Sequence, residues 1–180
     1  KDLQIATSLN LSTQSINNIT NNTVTFDASS GTQTITSNSN SFNHVAFNDS
    51  AGTATFQLAD AMDVNGNFTL TDGIFDQNSK TLNVGGNWSF AGGSFASSPS
   101  VTFDSSTTAT ISGSTTFNNL TSTTAGKQLT FTAGTIQTIS GTLTLTGTSA
   151  SKIKLRSFSA DSIYTITDSG TENVSFVDVQ

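Results

Sequence analysis

The chain has 180 residues, enough for one domain with a core of its own. Only 10% of them are charged, and six Lys and Arg within a net charge of −6 exclude an electrostatic footprint on nucleic acid. The absence of cysteine excludes disulfides and thiol catalysis, and no apolar stretch approaches the roughly 18 residues of a membrane span, so no membrane insertion is predicted.

Residues 1–22 follow no clear pattern, and we interpret them as an atypical first coil or an entry strand. From Thr23 onward, apolar residues alternate with Thr, Ser or Asn, which indicates half-buried strands, and no window has a helical stripe. In chain order the predicted strands include Phe68–Leu70, Trp88–Phe90, Val101–Phe103, Leu129–Phe131, Leu143–Leu145, Ile153–Leu155 and Val174–Phe176.

One twelve-residue phrase occurs twice, as VNGNFTLTDGIF at 64–75 and as VGGNWSFAGGSF at 84–95. Its apolar and glycine positions coincide at a displacement of about 20 residues, and WSFAG at 88–92 continues into ATISG at 109–113. A second displacement, of about 75 residues, indicates duplication. We therefore predict a single domain over 1–180, with duplicated halves at 23–100 and 101–180.

Position-by-position identity at this spacing predicts a right-handed parallel β-helix, a β-solenoid with roughly nine coils of about 20 residues. Equivalent side chains of successive coils would then stack in ladders. The alternative is an antiparallel β-sandwich, which has no need for such identity. The predicted ladder residues are Val64, Phe68, Leu70, Phe75, Val84, Trp88, Phe90, Phe95, Val101, Phe103, Ile111, Phe117, Leu129, Phe131, Ile139, Leu143 and Leu145.

Three segments carry a family resemblance: VTFDSSTTATISGSTTFNNLT at 101–121, ISGTLTLTG at 139–147 and ENVSFVDVQ at 172–180. They resemble the Ser/Thr/Asn-rich parallel β-helix repeats of large secreted prokaryotic surface proteins, including filamentous-haemagglutinin-like adhesins. The resemblance covers most of the chain from about Thr23. It implies a secreted protein, extracellular or at the cell surface.

Enzymes that act on polysaccharides also use this fold, and they need two carboxylates as an acid and base pair. Asp60 with Asp63, or Asp72 with Asp76, could flank a sugar bond. Each pair lies near a predicted turn, where aspartate caps its own backbone. We therefore predict no catalytic residue and no enzymatic activity.

No metal or cofactor is predicted either. His44 is the only histidine and has no partners at ligand spacing, and the Gly-Gly pairs lack the calcium-binding nonapeptide pattern. The basic cluster of Lys152, Lys154 and Arg156 has no acid pair beside it and is expected on a solvated face.

Two binding functions remain as alternatives. Trp88 and Tyr164 could present rings to sugars, which would make the protein a carbohydrate-binding or polysaccharide-degrading β-helix with surface glycans as partners. Trp88 is nevertheless expected in the core, because it occupies a ladder position. A regular threonine array could bind ice, but Thr71 of the first phrase is followed by Ala91 in the second.

Sequons for N-glycosylation are numerous, and many of them are expected by chance in a chain this rich in Asn, Ser and Thr. They are Asn10, Asn18, Asn21, Asn48, Asn67, Asn87, Asn119 and Asn173.

The segment at 173–180 alternates like a strand, and it leaves Val174, Phe176 and Val179 ready to be covered. We expect self-association end to end, or continuation into a longer chain. The sequence thus predicts a non-enzymatic structural or adhesive solenoid of an extracellular fibre that assembles through uncapped ends.

Overall fold

The computed structural model describes residues 2–11 and 22–180. The fold is an all-β parallel β-solenoid of about seven coils of roughly 22 residues, and the described residues contain no helix. The strands are β1 Leu3–Ile5, β2 Leu9–Asn10, β3 Thr23–Phe26, β4 Thr32–Thr36, β5 Ser41–Phe42, β6 His44–Phe47, β7 Thr55–Leu58, β8 Met62–Val64, β9 Phe68–Leu70, β10 Ile74–Asp76, β11 Leu82–Val84, β12 Trp88–Phe90, β13 Ser94–Phe95, β14 Ser100–Thr102, β15 Ala109–Ser112, β16 Thr116–Phe117, β17 Asn119–Ser122, β18 Gln128–Phe131, β19 Ile136–Ile139, β20 Thr142–Thr146, β21 Ile153–Ser157, β22 Thr165–Asp168, β23 Thr171–Ser175 and β24 Val177–Val179.

The chain forms two compact units, described separately below. The first unit comprises Lys1–Asn83 and Phe90–Ser97, and the second comprises Val84–Ser89 and Ser98–Gln180. In the first unit, sheet A runs β1-β3-β6-β9, sheet B runs β2-β4-β7-β10-β13, and sheet C pairs β5 with β8. In the second unit, sheet D runs β12-β15-β18-β21-β24, sheet E runs β14-β17-β20-β23, and sheet F runs β16-β19-β22.

The first unit shows the stacking that the repeated phrase predicted. Phe75 of β10 faces Phe95 of β13, so these two equivalent phrase positions share one ladder. In sheet A, Phe26 faces Phe47, and their rings stack with centroids 5.2 Å apart. All pairings among the described strands are parallel, and the antiparallel sandwich alternative is therefore wrong.

In the second unit, one predicted strand register is wrong. We expected Trp88 to stack on Ala109, but β12 pairs with β15 so that Trp88 faces Ile111. The glycines at 92 and 113 had suggested the shorter displacement. They lie in turns outside the paired strands, where insertions shift the frame, so turn glycines do not fix the register.

The coils are longer and fewer than predicted, because loops of unequal length join the strands within a coil. The displacement from Phe75 to Phe95 is at the short end of the range. In the second unit Leu129 faces Leu155, since a loop at 147–152 lengthens that coil. The phrase at 64–75 and 84–95 therefore underestimated the repeat.

Two corners of the first unit use the same sharp turn. Asn38 and Ser39 have φ values of 49° and 63°, and Asn78 and Ser79 have φ values of 49° and 58°. Two consecutive positive φ angles define a type I′ turn, for which Asn is favoured. A hydrogen bond closes each turn, from the N–H of residue 40 to the oxygen of residue 37 at 3.0 Å, and from 80 to 77 at 2.9 Å.

The core contains nearly all of the predicted ladder residues. All are buried except Phe90 and Phe95, which are half-buried and pack against each other with ring centroids 5.0 Å apart. The inward residues of each strand alternate with outward Thr, Ser and Asn, as the period-two pattern predicted. The proposed duplication of the chain stays a prediction.

Candidate functional site

The four aspartates considered as acid and base pairs are engaged in local hydrogen bonds. Asp60 accepts from two backbone N–H groups, of residues 37 and 38, at 2.8 and 2.6 Å. Asp63 accepts from a serine hydroxyl at 2.6 Å, and Asp72 accepts from the N–H of the next residue at 2.8 Å. Asp76 accepts from a turn N–H at 2.8 Å and from a glutamine amide at 2.7 Å. All four carboxylates therefore support turns or neighbouring coils.

A fifth aspartate, Asp49, is fully buried and organises a loop of the first unit. Its carboxylate accepts hydrogen bonds from the backbone N–H groups of Ala51, Thr53 and Ala54. Burial alone would raise the pKa of Asp49, but these donors outweigh it and lower the pKa below its ordinary value. The sequence signal was the turn-like NDSAGT at 48–53, which does not reveal burial.

His44 and Trp88 both have structural partners. His44 Nδ1 accepts a hydrogen bond from the backbone N–H of Asn67 at 2.9 Å. Trp88 is fully buried, and its Nε1 donates to Thr115 Oγ1 at 3.0 Å. Since the indole ring is not exposed, Trp88 cannot be a sugar platform in this conformation.

A buried polar network continues from Thr115 through the second unit. Gln137 is fully buried, and its Oε1 accepts from the Thr115 N–H at 3.2 Å. Its Nε2 donates to the Gly113 oxygen at 2.9 Å and to Thr135 Oγ1 at 3.2 Å. Every polar atom of this amide side chain has a partner, so the glutamine is accommodated at an inward position.

Lys127 is a further buried polar residue that was not predicted from the sequence. It is fully buried, and its Nζ donates to the Gly85 oxygen at 3.0 Å and lies 5.7 Å from the centroid of the Phe103 ring. Burial lowers the pKa of Lys127 from 10.5 to about 8, and the charge of Asp104 opposes that shift. The residue two positions before buried Leu129 has the inward parity, a signal that was available in the sequence.

The predicted basic cluster lies on the outward face of sheet D. Lys152 and Lys154 are exposed, and Arg156 forms a salt bridge to Asp178 at 2.8 Å. The hydrogen bond from Arg156 lowers the pKa of Asp178. The cluster is a solvated face with one ion pair.

The sequon asparagines fall into several environments. Asn18 and Asn21 lie outside the described residues. Asn10, Asn48, Asn87 and Asn173 are exposed, and Asn67 is half-buried.

Asn119, a further sequon residue, is half-buried, and its side chain bridges neighbouring coils. Its Oδ1 accepts from the Thr142 N–H at 2.8 Å, and its Nδ2 donates to Ser100 Oγ at 3.0 Å. A glycan on that nitrogen would replace one of its two N–H donors beside the Ser100 bond.

Sheet E carries a threonine column that the sequence comparison did not locate. Thr102 faces Thr121, and Thr121 faces Thr144, so three successive outward positions carry the same side chain. Beyond them the column continues with Asn173. Thr71 and Ala91, which argued against a regular threonine array, lie in the first unit instead.

The C-terminal end of the second unit is the most distinctive surface among the described residues. The strands β22, β23 and β24 are the last strands of sheets F, E and D, so each leaves one edge unpaired. Between them opens a cavity of about 630 Å³, lined by Leu143, Leu145, Leu155, Ser162, Ile163, Tyr164, Ile166, Asp168, Glu172, Val174, Val177, Val179 and Gln180. We call this surface the C-terminal end.

Apolar side chains of this end are unusually accessible. Ile163 is 81% exposed, Val179 is 67% exposed and Val174 is 46% exposed. Phe176 is 52% exposed, but it does not continue the strand as predicted. Its φ of 51° places it at a corner between β23 and β24, because the chain turns there.

The last coil also brings two carboxylates to core positions. Asp168 faces Ile139, and Glu172 faces Leu143, so each acid continues a ladder that is apolar in the coil before. Asp168 Oδ2 and the Tyr164 hydroxyl are buried and have no hydrogen-bond partner. Burial raises the pKa of Tyr164, although the charge of Arg156 opposes the rise.

The fold is a parallel β-solenoid whose last described strands, β22, β23 and β24, carry exposed apolar side chains. Comparison with protein-family models, with curated proteins and with solved structures finds no match to the chain. Within residues 2–11 and 22–180, no group of three or more metal-ligating side chains is present, and no helix has the length and hydropathy of a membrane span.

Proposed function

We propose that the chain is a non-enzymatic structural or adhesive element of an extracellular surface fibre, joined to the rest of the fibre through its C-terminal end. The observation that carries this proposal is the C-terminal end itself, where three unpaired strand edges surround an apolar cavity. Unpaired edges and exposed core residues favour the addition of another strand layer. The covering layer is a further β-coil.

The composition supports an extracellular structural role. Outward positions carry Thr, Ser and Asn, and the four candidate acids serve turns or coil contacts. The resemblance to secreted surface β-helices adds the expected location.

Immunogold electron microscopy of intact source cells tests this function. An antibody raised against the purified chain should label filaments or the cell surface without permeabilisation. Label confined to the cell interior would contradict the proposal, and so would release of reducing sugar or unsaturated uronate from a polysaccharide panel.

The threonine column favours ice binding as a second candidate. A flat parallel sheet repeats hydroxyl groups at about 4.8 Å between strands. Thermal hysteresis should then be measurable for the chain and fall when Thr121 is replaced by Lys, a change that leaves the C-terminal end intact. The absence of thermal hysteresis in a solution of the wild-type chain would contradict ice binding.

A further inference from the structure

We propose that the coil covering the C-terminal end carries a lysine or arginine on its inward face, placed against Asp168 and Glu172. This inference rests on the proposed function, because it names the partner of the same surface. It concerns the chemistry of the partner strand, which the apolar cavity alone does not specify.

The first step is the position of the two acids. Ile139 and Leu143 are buried, and in the last coil their ladders continue with Asp168 and Glu172. The neighbouring inward residues, Ile166 among them, remain apolar. The last coil therefore combines an apolar surface with two anionic groups.

The second step is the cost of covering these acids. A coil with only apolar inward residues would remove the exposed Glu172 from water and offer no partner to it or to Asp168 Oδ2, whereas Asp168 Oδ1 keeps its hydrogen bond from the Gly170 N–H at 2.9 Å. Burial of an unpaired charge is strongly unfavourable, whereas a cation within hydrogen-bond distance compensates part of the desolvation. Charge complementarity thus selects a basic side chain.

The third step concerns buried polar atoms that already lack partners. Asp168 Oδ2 and the Tyr164 hydroxyl line the cavity, and neither has a hydrogen bond. A lysine ammonium or an arginine guanidinium supplies several donors at once. A basic side chain in the cavity could therefore donate to Asp168 or to Tyr164.

The fourth step separates this partner from a second copy of the chain. The first coil presents Leu3 and Ile5 at inward positions, facing Val24 and Phe26, and Leu9 faces Ile35. None of these three described inward residues is a cation, so contacts to them would leave the two carboxylates unpaired.

Replacement of both acids by leucine tests the inference by gain of association. Asp168→Leu with Glu172→Leu completes the apolar ladders, and the matched control is Thr167→Leu with Thr171→Leu, which adds the same side chains at outward positions. Sedimentation velocity over a concentration series should show the ladder variant associating at a concentration at least about tenfold lower than wild type or the control. Circular dichroism checks that all three chains keep their β-structure.

A peptide arm tests the cation directly. The probes are three synthetic strands of alternating valine and threonine whose central inward residue is lysine, norleucine or glutamate. Isothermal titration should show the lysine peptide binding wild type at least about tenfold more tightly than the norleucine peptide. This preference should disappear in Asp168→Asn with Glu172→Gln.

The outcomes distinguish the two proposals. Two results would overturn the cationic partner but not the C-terminal end as a docking surface. One is strong self-association of wild type that is unchanged in the leucine variant and in the Asn/Gln variant, and the other is equal binding of the lysine and norleucine peptides. No association of the ladder variant and no peptide binding to any chain would overturn the C-terminal end as a docking surface.

Discussion

Replacement of Lys127 by methionine should remove an alkaline rise in stability that wild type shows. The pKa of Lys127 is lowered from 10.5 to about 8 in the folded chain. Above pH 8 the folded state loses this proton while the unfolded state keeps it, so the free energy of unfolding increases with pH. For these two pKa values the increase is about 2.5 kcal/mol between pH 7 and pH 10.

Methionine fills a similar volume without a charge, and it removes the hydrogen bond to the Gly85 oxygen. Urea denaturation of both chains at pH 7, 8, 9 and 10 measures the effect. The free energy of unfolding of Lys127→Met relative to wild type should fall by about 2.5 kcal/mol across this range. Parallel pH profiles for the two chains would refute the buried, pKa-shifted lysine.

Three further predictions concern turns and the core. Asp49→Asn should cost about 3 kcal/mol at pH 7, because one of the two acceptor oxygens becomes an NH2 group that faces backbone N–H donors. In urea denaturation at decreasing pH, wild type should lose its stability advantage over Asp49→Asn as the pH falls through the lowered pKa of Asp49, and an advantage that grew instead would contradict this role. Gly93→Ala should lower the free energy of unfolding by at least about 2 kcal/mol in urea denaturation, since φ is 71° and an added Cβ would lie 2.5 Å from the Gly73 oxygen. Gly134→Ala is the matched control, because its φ is 73° and an added Cβ would meet no atom, so it should cost less. Equal losses in the two variants would contradict the clash at Gly93. Trp88→Phe should keep the fold but lower the free energy of unfolding by about 1 kcal/mol, because it removes the hydrogen bond to Thr115 Oγ1. An unchanged melting curve would argue against that hydrogen bond.

The sequence predicted the solenoid because ladder stacking leaves a direct trace in the order of residues. Phe75 and Phe95 occupy equivalent phrase positions, and they share one ladder. The register of Trp88 on Ile111 was missed, because loop insertions shift the repeat without changing the strand pattern. The repeated residue pattern therefore indicates the coils, while the loop lengths determine which residues face each other.

The polar residues of the C-terminal end were harder to predict. Asp168 and Glu172 lie among Thr, Ser and Gly, where acids are ordinary in turns. Only the registers with Ile139 and Leu143 show that both acids continue apolar ladders. The sequence had indicated Val174 and Val179 at this end, and both are exposed.

Site-specific photo-crosslinking tests the central claim most directly. A photoreactive phenylalanine analogue replaces Val179 in the chain produced in its source cells, with the same analogue at outward Thr121 as the control. Mass spectrometry of the isolated surface material should find Val179 joined to a strand in which a lysine or arginine alternates with apolar residues. A crosslinked strand with no basic inward residue, or the same products from both positions, would contradict the account.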